Sequence, residues 1–228
     1  VTSALLGALL LIGVQSASGS PPWRPRPLSR FDAAKAEWLL RNRLPCIGCH
    51  ELGGEGGRIG PSLSQLKGRP SPEQVYEQIR NPRGGVMPRV PMSDATLDLI
   101  ASYLVTREPT APPVAQVAIP AVQSSQDVTE DLYLRHCAPC HGAKGAGDGY
   151  NARFLPVRPT AHSDKAYMSR RPDDALFDAI YAGGYIMNRS NRMPPFGQTL
   201  PREQIWSLVR YLRVLCGCEG PAWSLDNH

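Results

Sequence analysis

The chain has 228 residues, of which 42% are hydrophobic, with 23 prolines and 21 glycines. That balance favours short helices joined by many turns over one extensive sheet. A formal charge of +5 comes from 25 basic and 20 acidic residues; with no basic run and no aromatics interleaved with Arg or Lys, a nucleic-acid surface is excluded. The length admits one large domain or two small ones. Two domains of about 85 residues would be marginal on apolar burial alone, and each would gain from a bound group serving as core.

The N-terminal VTSALLGALLLIGVQSASGS carries no charge, and Ala4–Val14 is apolar. This run of about 11 residues suits a signal-peptide core and falls short of the ~20 needed to span a bilayer. Residues 1–20 are therefore expected to be a signal peptide or an N-terminal anchor. The body of the chain is expected in the periplasm or on the outer face of the cytoplasmic membrane. Prolines 21, 22, 25 and 27 make 21–30 an extended spacer.

Phe31–Arg43 then reads as a helix, with Phe31, Ala34, Trp38 and Leu39 on its apolar face. Ser71-Pro72-Glu73-Gln74 is a helix start: a serine cap, proline in the first turn, and glutamine placed for a capping box. That helix should end near Asn81-Pro82. Ser93-Asp94 opens another, with Leu97, Ile100, Tyr103 and Leu104 at helical spacing. The stretch 106–126, with four prolines, is a linker.

Beyond it the order repeats. Asp127–His136 is a helix, Arg171-Pro172-Asp173-Asp174 opens a second through Ile180, and Pro201–Val214 is the last. Arg210-Tyr211-Leu212 echoes Ser102-Tyr103-Leu104. Each half carries one cluster of two thiols and a histidine: Cys46-Ile47-Gly48-Cys49-His50 and Cys137-Ala138-Pro139-Cys140-His141.

Three chemistries use closely spaced cysteines. Zinc takes four ligands, with histidines about a dozen residues from the cysteine pair, whereas here histidine follows the second cysteine directly. A thioredoxin-like redox pair needs a strand leading into a helix, and no β-rich run precedes either cluster. Haem attachment accounts for every position: two thiols add across the porphyrin vinyl groups and the adjacent histidine is placed beneath the ring.

CIGCH with GGRIGPSL and VMPRVPMSD, then CAPCHGAKGAGDG with RMPPFGQTL, resemble class I cytochromes c over Phe31–Tyr103 and Asp127–Leu212. The whole resembles a tandem dihaem cytochrome c. The resemblance implies an all-α fold of two domains, 31–105 and 127–215, followed by a tail at 216–228. Each domain would be a small bundle of short helices around one of two covalently bound haem c groups.

The resemblance further implies thioethers at Cys46, Cys49, Cys137 and Cys140, with His50 and His141 on the irons. The carbonyl of Pro61 would orient His50, and that of Pro159 would do the same for His141 across a longer loop. A methionine from the loop before each last helix would close the far side. In the second domain this is Met193, followed by proline, with Met187 as the alternative. Aligning Tyr103 on Tyr211 favours Met87, also followed by proline, over Met92.

Met168, His136, His162 and His228 are set aside as packing or surface residues. Arg83, Arg89, Arg189 and Arg192 pair with propionates, line a docking rim, or are ordinary surface charge. Cys216 and Cys218 lie outside the resemblance: an internal disulfide across one residue looks strained, leaving a bond to a partner chain or a free pair.

The implied function is single-electron transfer, without catalysis, between a membrane redox complex and an acceptor in a respiratory or photosynthetic chain. The implied partners are redox proteins, with membrane association possible through the N-terminus. Alternatives are a permanent subunit of a cytochrome bc-type complex or oxidase, and a dihaem enzyme (peroxidase or thiosulfate-oxidising).

Overall fold

The computed structural model describes residues 22–67, 70–109, 115–117 and 127–224. The expected leader or anchor and most of the expected linker lie outside the described residues. Among those described, eight α-helices and no strands are found, and none of the helices is long and apolar enough to cross a membrane.

In the first half α1 (Arg30–Asn42), α2 (Pro72–Arg80) and α3 (Asp94–Thr106) surround one apolar core. In the second, α4 (Val128–His136), α5 (Ala138–His141), α6 (Lys165–Met168), α7 (Asp173–Ala182) and α8 (Arg202–Cys216) surround another.

Local chemistry sets the boundaries. Ser71 Oγ accepts from Gln74 N while the Gln74 side chain accepts from Ser71 N, so α2 starts with a complete capping box. Losing such a cap costs about 1 kcal/mol. Ser29 and Ser93 cap α1 and α3, and Asp127 caps α4.

The apolar face of α1 differs from the expected one. Phe31 is 76% and Trp38 57% exposed, while Ala36 and Leu40 are fully buried. Apolar residues fall all around this helix, so spacing alone leaves its rotation open. Tyr103 of α3 settles it: its hydroxyl donates to Glu37 Oε2 at 3.0 Å, and Arg41 clasps the same carboxylate. Small Ala36 then turns toward α3 and Trp38 outward.

Burial pushes the Glu37 carboxyl up, but Arg41 and the Tyr103 hydroxyl outweigh it and hold the pKa below the ordinary 4.5. A depressed native pKa means this contribution is complete above the unfolded value and lost as pH falls through the native one. Because the side chain is 41% exposed, the contribution is about half a kcal/mol. Glu37→Gln is expected to lower denaturant stability by that amount at pH 7, and the difference from wild type should vanish in acid below the native pKa.

The proline-rich arm is extended but not free. Trp23 stacks on Tyr76 of α2 with centroids 4.6 Å apart, and its Nε1 donates to Asp98 of α3 at 3.0 Å. Arg26 adds ion pairs to Asp98 and Asp32. In the second half Arg213 of α8 reaches Asp173 at the start of α7 and the Met168 carbonyl of α6. α8 runs on to Cys216, where Gly217 in the left-handed conformation turns the chain back. The turn brings Cys216 and Cys218 together as a disulfide. This corrects the expectation of a partner-bound or free pair: the helix end and Gly217 supply the bend that sequence spacing alone did not.

The halves are packed against each other. Asn191 Nδ2 donates to the Arg41 and Leu44 carbonyls at 3.2 and 3.1 Å, and Arg192 Nη1 to Arg41 O at 2.8 Å. Arg89 N donates to Thr199 Oγ1 at 2.9 Å.

Candidate functional site

Each half opens a cleft whose two walls come from distant segments. In the first, α1 delivers the chain into the tight turn Cys46–Gly48, and His50 N bonds back to Cys46 O. Cys46, Cys49 and His50 line one side of a cavity of about 580 Å³; Met87 and Met92 line it from the opposite loop, with Ile100 and Leu104 from α3. His50 Nδ1 lies 2.8 Å from the Pro61 carbonyl. A carbonyl only accepts, so Nδ1 carries the proton and Nε2 the lone pair. Gly60 permits this approach, since a Cβ there would sit 2.5 Å from His50 Nδ1.

The loop that brings Pro61 over His50 is held by a residue that no sequence motif marks. Glu51 is buried and accepts from Ser62 Oγ, Ser64 Oγ and Gly54 N. Burial pushes its carboxyl up, but these donors hold it below the usual range.

Met87 and Met92 are placed differently. Met92 packs against the first apolar core. Met87 sits half-buried in a loop pinned by Gln78, whose Nε2 bonds Arg83 O at 3.2 Å and lies 3.9 Å from the Met87 sulfur. Nothing in the sequence pattern singled out Gln78.

In the second cleft, of about 270 Å³, Cys137, Cys140 and His141 again face methionines, Met193 and Met187. Met193 packs on the second core and its backbone is stapled by Gly184 N to Met193 O at 3.1 Å. Met168 is fully buried in that core.

The expectation for Pro159 is corrected. His141 Nδ1 lies 2.9 Å from the carbonyl of Thr160, one residue later. The longer loop takes a helical turn at Ala152–Phe154, and Pro159 instead turns its carbonyl toward Gly147. His162, set aside from sequence, stacks on His141 with centroids 4.1 Å apart and planes 13° from parallel. Its Nδ1 bonds the Tyr133 hydroxyl at 3.0 Å. A lone histidine in a loop carries no pattern that would reveal this.

The electrostatics suit an apolar, covalently held group. Burial raises the Cys46 thiol to about 11 and, aided by neighbouring thiols, Cys49 and Cys137 to about 12; Cys140 also rises. Such thiols lack the low pKa of a redox-active pair. Burial also lowers the pKa of His50 and His141, with the Pro61 and Thr160 carbonyls opposing it, so both rings are neutral donors.

Arg171 and Arg192 line the second cleft, and each has a buried Nε without a partner. Leaving such donors unmet is costly, and carboxylates on a bound porphyrin would meet them. Arg158 and Arg189 line the same cleft and Arg83 the first. Two thiols and an imidazole on one wall, a thioether on the other and arginine at the rim fit haem.

A helical chain with attachment clusters of this form is a c-type cytochrome. Residues 31–104 and 125–212 match the family described as cytochrome c oxidase, cbb3-type, subunit III, and the chain belongs to that family. Among solved structures, the chain is similar to the c-type cytochrome KustC0563, at 25% identity over 40% of this chain and 96% of that one, with a TM-score of 0.31. It is also similar to the Kuenenia stuttgartiensis reducing HAO-like protein complex Kustc0457/Kustc0458, at 17% identity over 84% and 98%, with a TM-score of 0.32. Likeness at those scores carries no weight. Comparison with curated proteins gave no match. Membership brings covalently bound haem c and electron transfer as the class of activity.

Proposed function

We propose that the chain is an exported two-haem electron carrier, working between a membrane redox complex and an acceptor. The supporting observation is the twofold recurrence of one arrangement, thiols and neutral imidazole facing methionine across a cleft. Cys46 and Cys49 would hold one haem with His50 and Met87 on its iron, and Cys137 and Cys140 the other with His141 and Met193. Haem supplies one-electron chemistry when bound.

The chain's own groups prepare the sites. Pro61 and Thr160 fix the imidazole tautomers and strengthen them as donors. Met87 and Met193 would supply thioether ligands to the irons, which would keep small molecules off them and raise the potential, and the apolar walls of each cleft would exclude water. The domains are 31–105 and 127–215, with the haem-binding core in each.

Family membership favours a second reading, a permanent subunit of an oxidase. Extraction separates the two: a carrier washes off membranes in salt as a single chain, while a subunit needs detergent and brings its complex with it.

The principal test counts porphyrins per polypeptide by mass spectrometry and integrates the methionine-to-iron charge-transfer band of the oxidised protein against total haem. Two porphyrins and two equivalents of the band are expected. Fewer than two porphyrins would overturn the proposal.

A further inference from the structure

Asn151 belongs to the second half, yet its side chain is completely buried where the halves meet. Its Nδ2 donates to Gly48 O at 2.9 Å and its Oδ1 accepts from Arg58 N at 2.8 Å, both across the interface. The same Nδ2 lies 3.3 Å from Cys140 Sγ, and its backbone N donates to Pro139 O at 2.9 Å. Gly48 lies between Cys46 and Cys49, and Pro139 between Cys137 and Cys140. One amide therefore touches both attachment loops.

The contact is closely built. A Cβ on Gly48 would come within 2.0 Å of the Arg192 carbonyl, and one on Gly57 within 2.8 Å of Asn151 Oδ1. Arg192 and Asn191 close the same seam through the carbonyls at the end of α1. Burying an amide is costly unless both ends are bonded, and Asn151 satisfies its strong bonds only when the loops are held together.

We propose that Asn151 is a positioning residue for electron transfer between the two haem sites, fixing the two attachment loops back to back at the point where the electron crosses. This rests on the two-haem reading above. From Cys140 Sγ the path runs through the Asn151 amide to Gly48 O and along the backbone to Cys49, with gaps of only 3.3 and 2.9 Å. One electron leaves a ferrous iron at one site and reduces a ferric iron at the other. No proton moves, no covalent bond changes, and the amide is neither oxidised nor reduced.

The test uses the full holoprotein. One haem is reduced by a light flash and the approach to inter-haem equilibrium is followed, beside porphyrin mass, the two midpoint potentials and thermal stability. Asn151→Leu is expected to slow equilibration by about tenfold or more, with two porphyrins retained and both potentials unmoved. Should that variant fail to accumulate, Asn151→Ala removes the same amide without adding bulk to the seam and is expected to slow it likewise. An unchanged rate in a variant carrying both porphyrins, even one less stable to heat, makes Asn151 a packing residue and overturns the proposal. A wild-type chain with fewer than two porphyrins removes the two-haem reading and the junction with it.

Discussion

Met193→Ala is expected to open the second site, so that the reduced protein binds carbon monoxide at one haem per chain. The potential of that site should fall by on the order of 0.2 V, a fraction of the ~0.8 V that axial ligation spans. The argument rests on how the two candidate methionines are held. Met193 is followed by two prolines, and its flanks are fastened to α7: Phe196 N bonds Ile180 O and Gly197 N bonds Tyr181 O, each at 2.9 Å. Gly184 packs against the Met193 side chain, where a Cβ would come within 3.1 Å of its own Cβ.

Met187 sits in the turn leading to Asn188, which has a positive φ of 52°, beside Ile186 at 63% exposure. A ligand held by the first arrangement keeps its sulfur in place; one held by the second does not. Met187→Ala should therefore leave both the charge-transfer band and carbon monoxide binding as in wild type. Opening of the site by Met187→Ala with Met193→Ala silent would reverse the assignment.

What could be read in advance divides along a physical line. Helix starts were legible because caps are local: Ser71 with Gln74, Ser93 and Asp127 act within four residues of themselves. The thiol and imidazole clusters were legible for the same reason. The rotation of α1 was not, because it depends on Tyr103, sixty-six positions from Glu37 along the chain. The carbonyl facing His141 was missed by one residue, since the register of a long loop is set by its own internal turn. Glu51, Gln78, His162 and Asn151 were invisible as functional groups because each acts through a partner that only the fold supplies.

The dependence of the fold on its cofactor is expected to be unequal in the two halves. In Cys46→Ala/Cys49→Ala the chain should carry one porphyrin and lose the helix of α2. α2 has nine residues and buries only Val75. An isolated helix shorter than about 12 residues is marginal in water, so α2 relies on what its inner face touches. Val75, Ile79 and Gln78 of α2, with Ile100 and Leu104 of α3, all line the cleft that haem would fill. Without it those side chains face a cavity of about 580 Å³, and the apolar burial that holds α2 is lost. Cys137→Ala/Cys140→Ala should leave more structure, because α8 runs fifteen residues and, although its Leu208 and Leu212 line the cleft with Tyr133, its Ile205 and Val209 belong with Phe177 to a core that extends beyond the cleft lining. Far-ultraviolet circular dichroism of both variants, matched for porphyrin content, reads the difference. Equal helix loss in the two would mean that the seam between the halves, rather than each cleft, governs their stability.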